Sequence, residues 1–385
     1  MQKVRLGDIA ILINGDRGKN YPSQVDITND GEVPFVNAGH LNGREIAFDE
    51  MNYISKDKYE KLSSGKFQEG DILYCLRGSI GKKAIVSTDI KGAIASSLVI
   101  IRPNSEKLYG EYLMLALESP AIKKQLTKAN NGSSQPNLSA ASVREYEIEL
   151  PELLIQREVV EKLVKVRDII DNRRQELQLL DDLIKARFVE MFGDVKYGIE
   201  RWGGKPFKDI AINLDSKRKP VKDADRKKMQ GIYPYYGATG IVDYVNDYRQ
   251  DGEFLLISED GKALELRSKP IAFLASGKIW INNHAHVQQC TDECNIIYLM
   301  YHINFMDVSI WVTGIDQKKL NRANLNTIPI ALPPIELQKQ FADFVKQVDK
   351  SKVLSETHIF YAEKSITPTT PEIFLKGRCI YGNEF

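Results

Sequence analysis

Two distant segments of this chain share a short apolar strand, a Leu-Pro break and a helix start carrying Gln at one fixed place. Ile148–Val160 reads IELPELLIQREVV and Ile330–Ala342 reads IALPPIELQKQFA, so the residue numbers differ by 330 − 148 = 182. At the same offset FQEGDIL, which begins at Phe67, matches RQDGEFLL, which begins at Arg249. SSQPNL and GIDQKKL, which end at Leu138 and Leu320, match in the same way. Three aligned blocks indicate an internal duplication.

The start of each copy shows a second, larger offset. VRLGDIAILING from Val4 resembles KPFKDIAINLDS from Lys205, and VPFV from Val33 resembles YPYY from Tyr233, at offsets near 200. A change of offset within one repeat indicates that a loop differs in length between the copies. The pattern predicts a globular module followed by a long helix, repeated, and a duplicated reader implies a two-part ligand.

Composition bounds the class of protein. A chain of 385 residues with 43% apolar residues exceeds what one hydrophobic core usually serves, so we expect two or three domains. The net charge of +1 means that any nucleic-acid face must come from local clustering. No apolar run approaches the length of a signal or membrane segment, so we expect a soluble cytoplasmic protein. Cys75, Cys290, Cys294 and Cys379 are expected to be reduced thiols, since a lone Cys-x3-Cys lacks a second pair of zinc ligands.

One segment predicts a long helix that pairs with another helix. From Glu152 to Phe192 the sequence has no Gly or Pro, and apolar residues recur at steps of four and three, with only Arg173 interrupting them. About 40 residues at roughly 1.5 Å each give a rod of roughly 60 Å. The predicted seam consists of Val159, Leu163, Val166, Ile170, Leu177, Leu180 and Ile184.

A shorter seam follows the second module and consists of Leu337, Phe341, Phe344 and Val348. Ser351 and Ser355 then stand where apolar residues should continue, so we expect this helix to be cut short. The two helices are expected to pair antiparallel and to place the modules at opposite ends of a pseudo-twofold arrangement. Apolar residues on the outer face either dock partner subunits or pack locally: Val160, Val164, Ile169 and Leu179.

The polar loops of both modules suit DNA. Segments such as NGDRGKNYPS, LRGSIGKK and NNGSSQPN combine Gly with basic or amide side chains, which lets the backbone approach a phosphate or a base edge. SKRKPVKDADRKK (216–228) carries seven basic residues against two acidic ones and precedes YPYYGATG. Lys and Arg neutralise phosphates, whereas Asn, Gln and Tyr can hydrogen-bond base edges. A basic run alone is more often a solvated surface, but its place in a duplicated architecture favours DNA.

The predicted DNA-binding residues of the first module are Arg17, Lys19, Asn20, Arg77, Lys82, Lys83, Ser134, Gln135 and Asn137. Those of the second module are Lys217, Arg218, Lys219, Lys222, Tyr235, Tyr236, Lys278, Asn282, Asn283, His284, Lys318 and Lys319. Replacing Arg218 and Lys219 by Ala is expected to weaken binding to every sequence and to lower its salt dependence.

Signals for catalysis and for metal binding are weak. GSIGKK has the wrong Gly spacing for a phosphate loop, and Lys83 stands where Ser or Thr would hold magnesium. His284 and His286 are two residues apart on an extended segment and should share a face, but nothing nearby completes a metal triad. Asp260 and Glu265 ahead of Arg267 only faintly resemble nuclease spacing. We predict no catalytic residue and no metal site.

Several of these motifs, in this order, resemble one known family. The repeated LPxxxxQ, the helix end FVEMFGD (188–194), the opening LGDIA (6–10), INNHAHV (281–287) and QPNLSAASV (135–143) are similar to the specificity subunit of type I restriction-modification systems. The resemblance covers residues 1 to about 352. It implies a mixed α/β (α+β) fold in which two target-recognition domains are separated by a long antiparallel coiled coil.

The resemblance also implies a function and partners. Each recognition domain would read one half of an asymmetric site in double-stranded DNA, and the length of the helices would fix the unread spacer. Two modification subunits that bind S-adenosylmethionine and methylate adenine would dock on this chain. Restriction subunits that use ATP and Mg would join them, while this chain would bind no cofactor and no membrane and would not be an enzyme.

The predicted order of segments is recognition domain 1 (1–150), central helix (151–194), recognition domain 2 (195–332), a shortened second helix (333–352) and an atypical tail (353–385). Pro368 and Pro371 in the tail cannot continue a coiled coil, which departs from the family pattern. A truncated or inactive specificity subunit therefore remains open as an alternative, as does an adaptor that binds proteins rather than DNA. A nuclease in the second module is disfavoured because its loops lack convergent carboxylates.

Overall fold

The fold is taken from a computed structural model, which describes residues 3–87, 89–129, 137–267, 269–314 and 318–366. It divides into two compact units. Unit 1 holds the residues up to Ile170 together with those from Phe360, and unit 2 holds Asp171–Ile359. Each unit mixes strands, helices and long loops, so the predicted fold class of two duplicated α+β modules is confirmed.

The strands of unit 1 are short and lie in two main sheets. They are β1 (Lys3–Arg5), β2 (Ala10–Asn14), β3 (Val33–Val36), β4 (Leu41–Asn42), β5 (Glu45–Ile46), β6 (Tyr53–Ile54), β7 (Lys66–Phe67), β8 (Ile72–Cys75), β9 (Lys83–Ile85), β10 (Gly92–Ile94), β11 (Leu98–Pro103) and β12 (Glu147–Glu149). The helices are α1 (Leu6–Ile9), α2 (Lys56–Lys61), α3 (Gly110–Glu118), α4 (Pro120–Ala129), α5 (Ala140–Arg144) and the start of α6 (Leu153–Phe192).

Strand β11 organises the core of unit 1. It lies between β2 and β8 in a sheet of order β2-β11-β8-β9, and the second sheet has the order β6-β3-β10-β7. Successive side chains of a strand point to opposite faces, so Val99 and Ile101 pack with α3 whereas Leu98 and Ile100 pack with the second sheet. All four are fully buried. A continuous apolar run here therefore means a strand covered on both faces.

Unit 2 contains the end of α6 and the elements that follow it. Its strands are β13 (Gly204–Pro206), β14 (Ala211–Asn213), β15 (Gln230–Gly237), β16 (Gly240–Val245), β17 (Gln250–Ser258), β18 (Ala272–Ile281), β19 (Ala285–Cys290) and β20 (Pro329–Ala331). Its helices are α7 (Val195–Trp202), α8 (Phe207–Ile210), α9 (Asp223–Arg226), α10 (Lys262–Leu266), α11 (Ile296–Phe305), α12 (Arg322–Thr327) and most of α13 (Ile335–Ile366).

The main sheet of unit 2 has the order β14-β19-β17-β18-β15-β16. Strand β17 has the same role as the buried strands of unit 1. Leu255 and Ile257 face a core shared with α11 and the helix pair, whereas Phe254 and Leu256 face a second core formed with β18 and β19. The order β2-β11-β8-β9 of unit 1 thus corresponds to β14-β19-β17-β18.

Equivalent hydrogen bonds show that the sequence repeat is a structural repeat. The backbone N–H of Leu6 donates to Tyr146 O at 2.8 Å, and that of Phe207 donates to Ile328 O at 2.8 Å. The residue numbers differ by 207 − 6 = 201 for the donors and by 328 − 146 = 182 for the acceptors, the two offsets that the sequence repeat shows. The length difference therefore falls inside the module.

The position of the length difference can be narrowed further. Phe35 on β3 pairs in parallel with Ala93 on β10, and Tyr235 on β15 pairs in parallel with Trp280 on β18. The residue numbers differ by 235 − 35 = 200 for the first strand of each pair and by 280 − 93 = 187 for the second, so most of the length difference arises between these paired strands. In unit 1 the connection from β3 to its antiparallel neighbour β6 takes residues 37–52, whereas β15 turns directly into β16.

Within unit 2 the end of α6 pairs antiparallel with α13. Lys352 Nζ lies 2.5 Å from Asp181 Oδ1, and the rings of Phe192 and Phe341 are 5.6 Å apart. From the first of these contacts to the second, residue numbers rise along α6 and fall by the same amount along α13. The antiparallel pairing is what the heptad pattern predicts.

The prediction that the second helix ends near residue 352 is wrong. Helix α13 continues to Ile366 over 32 residues, and Ser355, which was expected to interrupt the seam, is only 2% exposed. The seam accepts polar residues because each has a partner. Lys352 pairs with Asp181. The hydrogen bond from Arg173, and then a weaker interaction with Ser355, lowers the pKa of the Glu176 carboxyl. Pro368 and Pro371 lie outside the described residues.

Burial separates the apolar residues of the two helices. Of the predicted seam, Val159, Ile170, Ile184, Phe341 and Val348 are buried, while Leu163, Val166, Leu177, Leu180, Leu337 and Phe344 are half-buried. The seam also includes residues that the pattern missed, namely Phe188, Phe192 and Val345. Val160 is 6% exposed because it packs in the core of unit 1, so its predicted outward position is wrong. Val164, Ile169 and Leu179 are exposed as expected.

The remaining expectations concern termini, membranes and cysteines. In the described part of the chain, every helix is too short or too polar to span a bilayer. Cys75, Cys290 and Cys294 are free thiols, and Cys379 lies outside the described residues. The hydrogen bond with Cys290, together with burial, raises the pKa of the Cys294 thiol. The predicted boundaries of the recognition domains, and their placement at opposite ends of the helix pair, stay predictions.

Candidate nucleic-acid interface

The polar loops of unit 1 meet at one edge of its main sheet. Strands β2 and β8 end at this edge and the antiparallel β11 begins there, so the segments that follow Asn14, follow Cys75 and precede Leu98 are neighbours. Backbone hydrogen bonds join the segment after Cys75 to the segment before Leu98 and to the segment at Leu138. Leu76 N–H donates to Ser97 O at 2.9 Å, and Leu138 N–H donates to Leu76 O at 2.8 Å. Three loops that are far apart in sequence thus form one surface.

Asp16 holds this surface in shape. Its carboxylate is 4% exposed and accepts hydrogen bonds from Gly18 N–H at 2.7 Å, Ser63 N–H at 2.8 Å and the Ser63 hydroxyl at 2.9 Å. The backbone N–H groups of Gly18 and Ser63 contribute most to lowering the pKa of Asp16, so the carboxylate stays charged at neutral pH. Arg17 and Lys19 on the loop that Asp16 holds are exposed to solvent.

Unit 2 repeats the arrangement. Strands β14 and β17 end, and β19 begins, at the equivalent edge of its sheet. An isolated backbone bridge pairs Arg77 with Asn137 in unit 1, and another pairs Asp260 with Lys319 in unit 2. The differences in residue number are 260 − 77 = 183 and 319 − 137 = 182, so the predicted DNA-binding residues Arg77, Asn137 and Lys319 occupy equivalent places.

A charged network underlies the surface of unit 2. Arg218 Nη1 donates to Glu259 at 2.6 Å, Lys319 Nζ lies 2.9 Å from Glu259 Oε1, and Arg218 Nη2 lies 3.5 Å from Asp215. Burial alone would raise the pKa of Glu259, but the hydrogen bonds from Arg218 and Lys319 outweigh it and lower the pKa. In the same way the contact with His286 overcomes burial and lowers the pKa of Asp215.

His286 is the buried member of this network. It is 1% exposed, its Nδ1 lies 2.7 Å from Asp215 Oδ2 and its Nε2 lies 2.8 Å from Leu320 O. Both partners are oxygen atoms that can accept a hydrogen bond. His286 thereby connects the basic loop at Asp215 to the segment at Leu320. It is a positioning residue for the loops above it.

The sequence spacing predicted that His284 and His286 share one face of a strand. In the structure they do not. His284 precedes β19, its ring is half-exposed, and its Nδ1 lies 2.9 Å from Asp260 Oδ2. The alternation of a strand applies only inside the strand, which begins at Ala285. Among the described residues no group of His, Cys, Asp and Glu side chains could hold a metal ion.

The structure sorts the predicted DNA-binding residues by accessibility. Exposed side chains belong to Arg17, Lys19, Arg77, Asn137, Lys217, Lys219, Lys222, Lys278, Asn283, His284 and Lys319, and Lys318 is half-buried. Ser134 and Gln135 lie outside the described residues. Contact of any of these residues with DNA stays a prediction.

Other predicted residues serve the protein itself. Tyr235 and Tyr236 are 1% and 9% exposed, so the structure does not support their predicted base contacts. The hydroxyl of Tyr235 accepts from Val221 N–H at 2.9 Å, which anchors the basic segment. Arg218 is taken up by Glu259, and Asn282, at 8% exposed, accepts from His284 N–H at 2.8 Å. These positions follow from burial, which a polar sequence pattern does not reveal.

The amide and lysine side chains assigned to unit 1 show the same difference. Asn20 Nδ2 donates to Lys61 O at 2.8 Å, and Lys82 Nζ donates to Ala38 O at 3.0 Å. Lys83 is half-buried, and desolvation lowers its pKa more than the nearby carboxylate of Glu118 raises it. These three side chains contact the protein rather than the solvent in front of the sheet edge.

The sequence prediction missed the hairpin of β15 and β16. Four of its apolar or aromatic side chains are exposed, with fractions of 79% for Ile232, 47% for Ile241, 56% for Val242 and 49% for Tyr244. Gly237 pairs with Gly240, which leaves a two-residue turn at Ala238 and Thr239. The signal was available, because an aromatic run and a β-branched run separated by a few residues that contain Gly are typical of a hairpin.

Comparison with known proteins finds the same duplication. The family model of the type I restriction modification DNA specificity domain matches residues 1–181 and again residues 199–359. The chain belongs to this family. The two matches fall in both units of the fold, and the resemblance predicted from LPxxxxQ and its companion motifs is confirmed.

Individual relatives of this specificity-domain chain agree. It is 38% identical over 151 residues to a putative type I restriction enzyme specificity subunit of Haemophilus influenzae, a match that covers 39% of this chain and only 37% of that protein. It is 24% identical over 379 residues to the type I restriction enzyme MjaIX specificity subunit of Methanocaldococcus jannaschii, covering 89% and 86% of the two chains. The crystal structure of the type I S subunit from M. genitalium superposes with a TM-score of 0.57 at 14% identity, covering 94% and 92%.

Proposed function

We propose that this chain is the DNA sequence-recognition subunit of a type I restriction-modification complex. Each unit reads one half of a bipartite, asymmetric site in double-stranded DNA. The observation that carries the proposal is the equivalent surface in both units, where Arg77 and Asn137 in unit 1 correspond to Asp260 and Lys319 in unit 2. Two surfaces of one design but different side chains suit a ligand with two halves of different sequence.

The charge of these surfaces supports DNA over a protein partner. Arg17 and Lys19 in unit 1, and Lys217, Lys219 and Lys222 in unit 2, are exposed, and the carboxylates nearest to them are engaged by the protein. Exposed lysines bind phosphates and set the register of a protein on DNA, while loop side chains read base edges. An adaptor that binds proteins would instead present apolar side chains in the loops that carry these basic residues.

We assign catalysis to partner subunits. Modification subunits, two in number, bind S-adenosylmethionine and methylate adenine, and restriction subunits use ATP and Mg to cut DNA. This chain itself binds no cofactor and directs both activities to the site it reads. The exposed apolar residues Val164, Ile169 and Leu179 on α6 give it a surface for such partners. Because the substrate is chromosomal DNA, the complex works in the cytoplasm.

Methylome sequencing of the host, with and without this gene, tests the proposal. Deletion is expected to remove methylated adenine from one bipartite motif and to leave other methylation unchanged. Restoring the gene should restore the motif, which controls for effects on neighbouring genes. An unchanged methylome with the modification subunits present would mean that the chain is inactive or serves another purpose.

A further inference from the structure

We propose that the hairpin of β15 and β16 enters the major groove of double-stranded DNA and reads part of the half-site assigned to unit 2. This inference rests on the proposed function and names the element that discriminates the bases. It starts from the position of the hairpin, whose strand β16 forms the outer edge of the six-stranded sheet within the described residues.

The hairpin exposes an apolar surface that a free sheet edge normally avoids. Ile232 on β15 and Ile241, Val242 and Tyr244 on β16 are each between 47% and 79% exposed. Edge strands are usually protected by charge, yet the one carboxylate of β16, Asp243, is taken up by Arg226 at 3.0 Å and by Gln230 at 3.2 Å. A ribbon of this composition is expected to have a partner.

The geometry of the hairpin disfavours an added protein strand. Its pairing is irregular between Gln230 and Tyr233 and again between Tyr235 and Tyr236. Such bulges increase twist and interrupt the regular row of backbone groups that β-augmentation needs. A twisted two-stranded ribbon fits the width of a major groove, where β-ribbon proteins read base edges with side chains.

The charges around the hairpin match a polyanion. Lys222, Lys227 and Lys228 are exposed in the segment that leads into β15, and Lys278 is exposed on β18, the strand beside β15. Lys227 and Lys228 lie 3.6 Å and 3.9 Å from exposed aspartates, contacts weak enough to be exchanged for phosphates. Lysines beside an apolar ribbon suit DNA, because apolar side chains contact thymine methyl groups while lysines bind the backbone.

The hairpin is held rigidly at its base and turn. The Ser258 hydroxyl, which is fully buried, donates to Ala238 O at 2.6 Å and so ties the turn to the end of β17. Arg226 stacks over the Tyr235 ring at 5.0 Å. The turn therefore lies at the sheet edge that carries Glu259 and Lys319, and a fixed ribbon can discriminate bases because little ordering remains to be done on binding.

The duplication singles out this element. Unit 1 has residues 37–52 where unit 2 has the turn from β15 into β16, whereas the strand order β2-β11-β8-β9 of unit 1 matches β14-β19-β17-β18 of unit 2. In a duplicated reader of an asymmetric site, the parts that differ must account for the difference between the half-sites. This connection is one such difference among the described elements.

Selection of binding sites tests the proposal. The chain, purified in complex with its modification subunits, is used to select sites from a library of random double-stranded DNA, and the bound sequences are compared for the parent chain and for I241S combined with V242S. The control is I212S, since Ile212 is 52% exposed on β14, the opposite edge strand of the same sheet. The hairpin variant should lose about tenfold or more of its discrimination at one or more positions of one half-site, with the other half-site unchanged.

Three results would overturn the hairpin proposal: both half-sites unchanged in the hairpin variant, the same change in I212S, or loss of the modification subunits from the hairpin variant on gel filtration, which would make the hairpin a protein interface. A parent complex that selects no sequence at all would contradict the proposed function itself, a result that differs from all three.

Discussion

Gln156 and Gln338 make the same three hydrogen bonds in the two units. Each accepts from a backbone N–H at a helix start, that of Tyr109 or Asn295, at 2.8 Å. Each also donates to the carbonyl two residues before that helix start, Lys107 O at 2.8 Å or Glu293 O at 3.1 Å. Its third bond goes to the carbonyl of the proline five residues before the glutamine, at 2.8 Å. Both are fully buried. The repeated LPxxxxQ is thus a joint between a long helix and its module.

Replacing either glutamine by leucine should destabilise the chain by at least about 2 kcal/mol, because three buried backbone groups lose their partner. The two substitutions should cost similar amounts, since the contacts are the same. The free energy of unfolding from urea titration measures this. Q178L is the control, because Gln178 is exposed on α6. A neutral result for one glutamine alone would contradict the equivalence of the joints.

Arg218 and Lys219 should now separate into different roles, although the sequence assigned both to DNA. R218A removes one of the partners that Glu259 and Asp215 each have, leaves Glu259 with Lys319 alone as its cation, and should cost about 3 kcal/mol of stability. K219A should leave stability unchanged and reduce the salt dependence of DNA binding by about one phosphate contact. Thermal unfolding and binding at several salt concentrations distinguish them. Equal effects on both measurements would refute this division.

The helix pair offers a matched test with adjacent residues. Ile184 is fully buried between α6 and the core of unit 2, whereas Leu183 is 47% exposed. I184A should lower the free energy of unfolding by about 3 kcal/mol because it creates a cavity, whereas L183A should change it by less than about 1 kcal/mol. Urea unfolding of the two variants checks the direction of the seam. A larger loss for L183A would place the seam on the wrong face.

His302 makes stability depend on acid. Its Nε2 accepts from Ala331 N–H at 3.2 Å, and complete burial lowers its pKa from 6.5 to about 3. The unfolded chain binds this proton at a higher pH than the folded chain does. The stabilising effect of the neutral ring is therefore complete above pH 6.5 and is lost, by up to about 1.4 kcal/mol per pH unit, between pH 6.5 and about pH 3.

The variant H302Q tests the acid dependence, because Gln can accept the same hydrogen bond without titrating. Unfolding free energies measured from pH 7 to pH 4 should fall less steeply for the variant by up to one bound proton. The carboxyl groups and the other histidines titrate equally in both proteins, so the difference between the two curves reports His302. Parallel curves would show that the ring is not kept neutral.

The repeat, the long helix and the antiparallel pairing could be predicted from sequence because each rests on spacing, and spacing is visible in residue order. Side chains at the candidate interface were harder. Tyr235 and Arg218 lie in polar, basic sequence, yet one is buried under Arg226 and the other neutralises Glu259. Which member of a charged segment turns inward depends on carboxylates and strands that are distant in sequence.

The end of α13 shows a second limit. A seam position occupied by serine or lysine counts against a coiled coil when it is viewed alone. Lys352 is tolerated because Asp181 lies opposite to it, 171 residues earlier in the chain. A single-helix pattern cannot contain that partner, and so the length of the second helix was underestimated.

The joint at Gln156 touches its module only through peptide groups: Tyr109 N–H and Lys107 O belong to the main chain. Tyr112 and Tyr298 are exceptions, because each is a module side chain whose hydroxyl donates to a main-chain carbonyl at 2.9 Å. Apart from these tyrosines, a joint made through main-chain groups leaves the side chains of the module free to change. A gene built in this way can exchange one recognition module for another. The chain then acquires a new target while the joint to the long helix is kept.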